Sequence, residues 1–260
     1  MVSRSRARVP RSAPERERNR ILKAMRALGP GSPNEWLRGY LGSPVPVLGV
    51  RTPPFRRVVR EAAHRLESWP RSDRWRVVQR LWNGPLYEER AAAIELLGRP
   101  PFVDDEGAWS RAARWVDEAT GWALSDSLAA GPVATLVASR PERFEEILRW
   151  TRAENLWRRR ASTYALRAWV RSGELDRPFR LLERLLDDPE RWVQRAVGTW
   201  LRECWKKDPV RTEAFLRRRV SRLAPVTITV ATERAPARLR EELRAAARAR
   251  RQGSAGRRGL

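Results

Sequence analysis

Apolar residues recur along most of the chain at the spacing of three and four residues that places them on one face of a helix. Over residues 15–28 they include Ile21 and Met25, and the Gly-Pro-Gly at 29–31 predicts the end of this first helix. Further helices are predicted from the proline pair at 53–54 onward and over residues 74–82, 87–97, 142–152, 154–170, 177–186, 189–205 and 209–220.

The alternation of apolar and polar residues that is typical of β-strands occurs clearly at one place, residues 226–230 (VTITV). This run is too isolated to build a sheet. Short turns rich in Pro, Gly and Asp separate the helical segments, and such turns indicate antiparallel neighbours. The pattern therefore predicts an all-α protein.

An internal repeat supports this prediction. Three segments, YEERAAAIELL, LWRRRASTYAL and RWVQRAVGTWL, share an Arg-Ala step followed by apolar residues. Their arginines, Arg90, Arg160 and Arg195, lie 70 and 35 residues apart, so a further member is expected near residue 125, where Asp126 occupies the arginine slot. A period near 35 residues is typical of helix-pair solenoids, which bury a core by stacking.

The repeated arginines have two possible roles. On the concave face of a solenoid, a row of arginines would suit a phosphate backbone. Alternatively, they bond the ends of neighbouring helices and are structural. In either case Asp126 is the one acid in this row, which calls for a separate explanation.

The charge balance favours a polyanionic partner. The 260 residues contain 54 Lys and Arg against 31 Asp and Glu, a formal net charge of +23. Residues 1–20 and 236–260 carry +5 and +6 of this excess, which leaves +12 on the body of the chain. DNA, RNA and an anionic membrane surface fit such a charge; a general preference for arginine in the organism's proteins is the alternative.

Other features of the composition exclude several kinds of site. The single cysteine, Cys204, and the single histidine, His64, cannot form an internal disulfide or a Cys/His zinc site. We expect His64 to be a surface or packing residue, and we expect neither metal nor cofactor. No run of 18 apolar residues occurs, so a cytoplasmic protein without a membrane span is expected.

The chain divides by composition into three parts. Residues 1–13 are predicted to be a disordered basic tail, residues 14–235 the repeat domain, and residues 236–260 a basic C-terminal helix and tail.

A tryptophan and the exceptional acid form a candidate catalytic pair. Trp122 and Asp126 are four residues apart and so share a helix face. A carboxylate stabilises a sugar with oxocarbenium character, and an indole face also favours positive charge. No histidine is needed if the departing base is already cationic, as in N-alkylated purines.

Six motifs in register resemble those of one family, the AlkD-like DNA alkylation repair glycosylases. They span roughly residues 36–226 and are YLGSPVPVLGVRTP, LWNGPLYEERAAAIELL, GWALSDS, LWRRRAS, WVQRAVGTWLRE and LAPVT. The resemblance implies an all-α fold: a right-handed stack of antiparallel helix pairs, a HEAT-like α-solenoid with a concave basic groove. It also implies excision of cationic alkylated purines, such as 3-alkyladenine and 7-alkylguanine, from double-stranded DNA by a monomer.

The resemblance also assigns roles to individual residues. Asp126 corresponds to the catalytic carboxylate, and Trp122 to the aromatic residue that contacts the deoxyribose. The positions that correspond to DNA contacts, or that share the repeat face with them, are Tyr40, Arg51, Thr52, Trp157, Arg160, Arg195, Thr199, Trp200 and Arg202.

One position departs from the family. A second catalytic tryptophan should follow Gly198, but Thr199 stands there and Trp200 comes one residue later. A shift of one residue turns a side chain by about 100° around a helix. Either the local helix adjusts and Trp200 faces the DNA, or Trp200 is buried and the site has one aromatic wall fewer. Thr199 favours one alternative to the glycosylase, a paralogue that binds damaged or branched DNA without cutting. A helical scaffold for a protein partner also stays open.

Overall fold

The computed structural model of the protein describes residues 12–30 and 32–256, with side chains up to residue 249. These residues form helices and turns, with no strand among them. The all-α prediction is confirmed. The tail predicted for residues 1–13 lies outside the described part up to residue 11, and the first helix begins at Ala13. Residues 257–260 of the predicted C-terminal tail also lie outside it.

The chain folds as two compact units, of which the first ends at Asp105 and the second begins at Glu106. The helices of the first unit are α1 (Ala13–Leu28), α2 (Glu35–Leu41), α3 (Thr52–Glu67), α4 (Arg71–Trp82) and α5 (Tyr87–Leu97). The second unit contains α6 (Gly107–Glu118), α7 (Trp122–Leu128), α8 (Ala134–Ser139), α9 (Phe144–Trp150), α10 (Leu156–Tyr164), α11 (Arg167–Ser172), α12 (Asp176–Arg184), α13 (Arg191–Trp205), α14 (Pro209–Arg218), α15 (Pro225–Ala231) and α16 (Ala237–Gly256).

Most of the predicted helices are present, with ends that move by a few residues. The segment 154–170 differs, because it forms two helices, α10 and α11, on either side of a turn at Ala165 and Leu166. Both turn residues are fully buried. Apolar spacing alone could not predict this break, since the turn is as apolar as the helices beside it.

Residues 226–230 are helical, although their apolar and polar side chains alternate as in a strand. Pro225 opens α15, a position at which its missing N–H costs nothing. Four residues of α15 are buried, which are Thr227, Ile228, Val230 and Ala231. The helix packs on α13, where Gly198 allows a close approach: a Cβ at Gly198 would lie 2.8 Å from Cβ of Val230. Tertiary packing thus outweighs the β propensity of Val, Ile and Thr.

In the first unit, a buried carboxylate fixes the loop before α3. Glu88, in the first turn of α5, accepts hydrogen bonds from the backbone amides of Leu48 at 3.0 Å and Gly49 at 2.8 Å. Gly49 has a φ of +78°, which only glycine adopts without strain. This anchoring sets the path of the chain into Arg51 and Thr52.

Ion pairs repeat in the second unit at the predicted period. Their partners lie 34 to 36 residues apart and join one helix pair to the next: Arg160–Asp126, Arg180–Glu145, Arg211–Asp176, Arg219–Glu183 and Arg222–Asp187. The spacing confirms a helical repeat of about 35 residues. It also shows that many arginines have the structural role that the sequence left open.

No helix in the described part of the chain is both long enough and apolar enough to cross a membrane.

Candidate active site

The short helix α7 holds the candidate catalytic pair. Gly121 precedes it with a φ of +81°, a left-handed conformation that lets the chain turn sharply into the helix. Trp122 is the first residue of α7, and Asp126 follows one turn later, so both lie on one face as predicted. Both side chains are partly exposed. A π-helical turn containing Pro132 follows directly, and such turns often occur at functional sites.

Arg160 of α10 donates two hydrogen bonds to the carboxylate of Asp126. Nε donates to Oδ1 and Nη2 donates to Oδ2, each at 2.7 Å. This is the bidentate geometry that makes Arg–carboxylate pairs strong and directional. The Asp126 side chain keeps 14% of its surface exposed, whereas Arg160 keeps only 4%.

The expectation that Arg160 lies on an exposed surface is therefore wrong. Its remaining donors are also used inside the unit: Nη1 donates to the backbone carbonyl of Trp192, and Nη2 donates to the hydroxyl of Tyr164 at 3.0 Å. A guanidinium with all its nitrogens bonded and almost no exposed surface cannot reach a phosphate. Its position in the structure instead fixes the orientation of Asp126.

Burial dominates the electrostatics of this cluster. It raises the pKa of Asp126 above its ordinary value, and the hydrogen bond and charge of Arg160, with a hydrogen bond from Tyr164, offset part of the rise. Burial and the neighbouring carboxylate also raise the pKa of Tyr164. The two oxygens of Asp126 have lone pairs beyond those that Arg160 occupies, so the carboxylate can accept a further partner.

Two tryptophans extend this cluster to the surface. The rings of Trp157 and Trp192 have centroids 6.3 Å apart at an angle of 39°, and Cζ of Arg160 lies 5.9 Å from the Trp192 ring. Trp192 is 45% exposed. It is not among the predicted site residues, although the sequence contained a signal: it precedes Arg195 by three residues, as Trp157 precedes Arg160.

The helix α13 places the remaining predicted residues of the second unit. Trp200 is buried, which is the second of the two alternatives that the one-residue shift left open, and its ring meets that of Tyr164 edge-on with centroids 5.5 Å apart. Its inclusion among surface contacts is therefore wrong. Thr199 is partly exposed, and its hydroxyl donates to the carbonyl of Arg195 at 3.0 Å. Arg195 is exposed, whereas Arg202 pairs with carboxylates of Glu203 and Glu233.

The first unit carries the other predicted contacts. Arg51 and Thr52 are exposed at the start of α3. Tyr40, on α2, is 59% exposed and stacks on Trp36 with centroids 5.5 Å apart and planes 3° from parallel. Trp36, which is 74% exposed, was missed from sequence, although its spacing of four residues from Tyr40 predicts that the two rings are neighbours on a helix.

The single cysteine and the single histidine are not part of this cluster. Cys204 is buried, and burial raises the pKa of its thiol to about 12, so it is not a nucleophile at neutral pH. His64 is exposed on α3. In the described residues, no three His, Cys, Asp or Glu side chains are grouped so that they could hold a metal ion.

The fold and the cluster define a class of protein: a helical-repeat scaffold that holds a partly exposed carboxylate in a fixed orientation beside surface aromatic residues. The sequence model of the DNA alkylation repair enzyme family matches residues 21–235. The chain therefore belongs to that family. A comparison with curated proteins gave no match.

Solved structures share the fold. A predicted DNA alkylation repair enzyme from Enterococcus faecalis superposes with a TM-score of 0.68 at 17% identity, over 78% of this chain and 94% of that one. AlkD2 from Streptococcus mutans gives a TM-score of 0.57 at 19% identity, over 69% and 89% of the two chains. The protein smu.31 from Streptococcus mutans UA159 gives 0.54 at 19% identity, over 69% and 96%.

Proposed function

We propose that the protein is a DNA glycosylase that excises cationic N-alkylated purines, such as 3-alkyladenine and 7-alkylguanine, from duplex DNA. One observation carries the proposal: Asp126 is held by two hydrogen bonds from a buried arginine and still has 14% of its side chain exposed. A carboxylate of fixed orientation at the surface suits the recognition of a developing cation.

In this proposal the base leaves without protonation. The bond between C1′ of the deoxyribose and the base nitrogen breaks, and its electron pair goes to the base and neutralises the base's positive charge. The sugar gains oxocarbenium character, which the carboxylate of Asp126 stabilises. Water then adds to C1′, and Asp126 accepts the released proton and passes it to solvent. Partial burial strengthens the attraction, because charges interact more strongly where water is excluded.

The neighbours of Asp126 prepare it for this role. Arg160 holds the carboxylate with two hydrogen bonds and Tyr164 contributes a further one, so little reorganisation is needed in the transition state. Trp122, one turn before Asp126, would offer its face to the cationic sugar. Trp157, Arg195 and Thr199 would contact the DNA backbone from the same unit, and Tyr40, Arg51 and Thr52 would do so from the first unit. The protein would act as a monomer.

The substitution Asp126→Asn tests this assignment. Asparagine keeps the size of the side chain but removes its charge, so the rate of base release should fall by a factor on the order of 10² or more. Affinity for DNA should persist or rise. Because Arg160 would lose a buried partner, thermal unfolding must be measured as well. Both assays then run below the lower of the two unfolding midpoints.

The chain offers a matched control. Asp117 also receives two hydrogen bonds from one arginine, Arg158, but its side chain is about half exposed and lies outside the cluster. Asp117→Asn should leave base release unchanged. If both variants retain the wild-type rate, Asp126 is not the catalytic carboxylate.

A second candidate function has its own support. The family's second catalytic tryptophan is replaced by Thr199, and Trp200 is buried against Tyr164. This favours a paralogue that binds damaged or branched DNA without cutting it. Such a protein would bind duplex DNA but release no base, with or without Asp126.

A further inference from the structure

The last helix, α16, lies outside the part of the chain that the family model matches, since that match ends at residue 235. Leu239, Leu243 and Ala247 are buried at intervals of four residues, so one face of the helix packs on the rest of the unit. Its contacts are with α15 and with the 3-10 turn Val220–Arg222. The helix is therefore docked on the unit, and the charged side chains beside its buried face have defined positions.

Three arginines run beside this buried face. Arg240, Arg244 and Arg248, here called the arginine row, are spaced by four residues and are therefore neighbours on the helix surface. Nε and Nη2 of Arg240 donate to the hydroxyl and the carbonyl of Thr232 at 3.0 and 2.8 Å. Nη2 of Arg244 donates to the hydroxyl of Thr229 at 2.9 Å, and Arg248 is exposed. The first two members of the row thus lie along α15, which contains Thr229 and ends next to Thr232.

The protein itself does not balance the charge of the arginine row. On the opposite side of α16, Arg217 and Arg238 both pair with Glu242. In the described part of the chain, by contrast, the three arginines of the row form no ion pair with a carboxylate. Glu241 is the one acid beside them, which leaves an excess of two positive charges. Like charges four residues apart on a helix repel one another, so such a row suits a polyanionic partner.

The arginine row begins where the candidate DNA surface of α13 ends. Arg202 of α13 pairs with Glu233, and the residue before Glu233 is Thr232, which accepts the hydrogen bonds of Arg240. Arg202 follows Thr199 by three residues and therefore lies on the same side of α13. A surface that starts at Thr199 thus continues through Arg202 to α16.

We propose that the arginine row binds phosphates of the DNA backbone, so that α16 lengthens the stretch of duplex that the protein contacts. The proposal rests on the proposed function as far as DNA is the partner. Four residues rise by about 6 Å along a helix, a spacing that suits successive phosphates of one strand, and a guanidinium can bind a phosphate with two parallel hydrogen bonds. An anionic membrane fits less well, because the apolar face of α16 is buried against the unit and cannot enter a lipid layer.

The test replaces all three arginines of the row by glutamine in the full chain. Fluorescence anisotropy on one undamaged duplex at several salt concentrations gives the slope of the logarithm of the binding constant against the logarithm of salt concentration. Each lost phosphate contact should make this slope less steep by about 0.9, so the triple variant should lose between about 0.9 and 2.7. A change smaller than that of one phosphate would overturn the proposal.

A matched control removes the same charge elsewhere. Arg217→Gln, Arg218→Gln and Arg238→Gln, combined in one chain, take three charges from exposed arginines outside the row. This variant should keep the wild-type slope. If it flattens the slope as much as the change in the row does, the effect is one of net charge and the proposal is contradicted.

Lysine in place of the three arginines separates charge from the contacts with α15. Lysine keeps the charges that neutralise phosphates, so the slope should stay close to that of the wild type, even if the new side chains no longer bond Thr229 and Thr232 as arginine does. A slope as flat as that of the glutamine variant would mean that the row acts by packing alone, which would contradict phosphate binding.

The choice of DNA keeps this test apart from the test of base release. The duplex carries no lesion, so the arginine row can bind DNA while base excision fails, and the reverse. Vesicles that contain phosphatidylserine test the other polyanion. If the glutamine variant loses binding to these vesicles but binds the duplex with an unchanged slope, the row faces a membrane and the proposal is overturned.

Discussion

Asp126 combines two properties that oppose each other, a negative charge and a largely buried position. Burial raises its pKa above the ordinary aspartate value of about 3.9, with Arg160 offsetting part of the shift. The proposed chemistry needs the ionised form. The rate of base release should therefore decline on the acid side at a pH higher than that ordinary value.

This prediction is checked by a pH–rate profile from neutral to acidic pH, corrected for spontaneous release of the base. DNA binding measured over the same range shows whether loss of affinity contributes. A rate that stays constant down to the ordinary aspartate pKa would contradict ionisation of a buried Asp126 as the controlling step.

The sequence predicts the positions of some site residues well and the burial of others not at all. The spacing of Trp122 and Asp126 fixes them on one helix face wherever the helix lies, and the structure agrees. The burial of Arg160 could not be predicted in this way. Whether an arginine points to solvent or back to the preceding repeat depends on how helix pairs stack, and the pair Arg160–Asp126 spans 34 residues.

At the scale of elements, the contact between α13 and α15 sets the orientation of the helix that carries Thr199. It depends on Gly198, where an added Cβ would lie 2.8 Å from Cβ of Val230 and 3.0 Å from the carbonyl oxygen of Thr227. Gly198→Ala should therefore lower the free energy of unfolding by about 1–3 kcal/mol, the usual cost of overpacking. Urea unfolding followed by circular dichroism measures this change.

Gly39 supplies the comparison. It is exposed within α2, and a Cβ there would meet no atom within 4 Å. Gly39→Ala should raise the free energy of unfolding by about 0.5–1 kcal/mol, because alanine restricts the unfolded chain and favours helix. If Gly198→Ala stabilises the protein as much as Gly39→Ala does, the close approach of the two helices is not as described.

The elements themselves were largely predictable, because amphipathic helices carry their periodicity in the sequence. The exceptions have physical causes. Residues 226–230 alternate like a strand, yet packing against α13 makes them helical. The segment 154–170 reads as one helix but breaks at a buried turn. Residues 226–230 pack on a helix earlier in the chain, and both residues of the turn at 165–166 are buried. Neither feature can be read from the local spacing of apolar residues.

At the scale of the whole molecule, arginine serves two purposes. Pairs such as Arg180–Glu145 and Arg219–Glu183 connect successive repeats. Each pair adds nothing to the net charge, so the excess of +12 between residues 21 and 235 reflects further cations. We expect the contact with DNA to involve these further cations.

Binding to DNA should therefore weaken steeply with salt. The logarithm of the binding constant should fall linearly with the logarithm of salt concentration, with a slope of roughly −0.9 for each phosphate neutralised. Anisotropy titrations on one duplex at several salt concentrations give this slope. A flat response would contradict a DNA-binding surface and favour a scaffold for a protein partner.

The most direct test of the central claim is the release of free 7-methylguanine and 3-methyladenine from methylated duplex DNA, with wild type and Asp126→Asn side by side. The account predicts release by the wild type and a loss of release on the order of 10² or more in the variant. Equal release by both would remove Asp126 from the chemistry. No release by either, with binding of the duplex by both, would contradict the glycosylase and leave a DNA-binding paralogue.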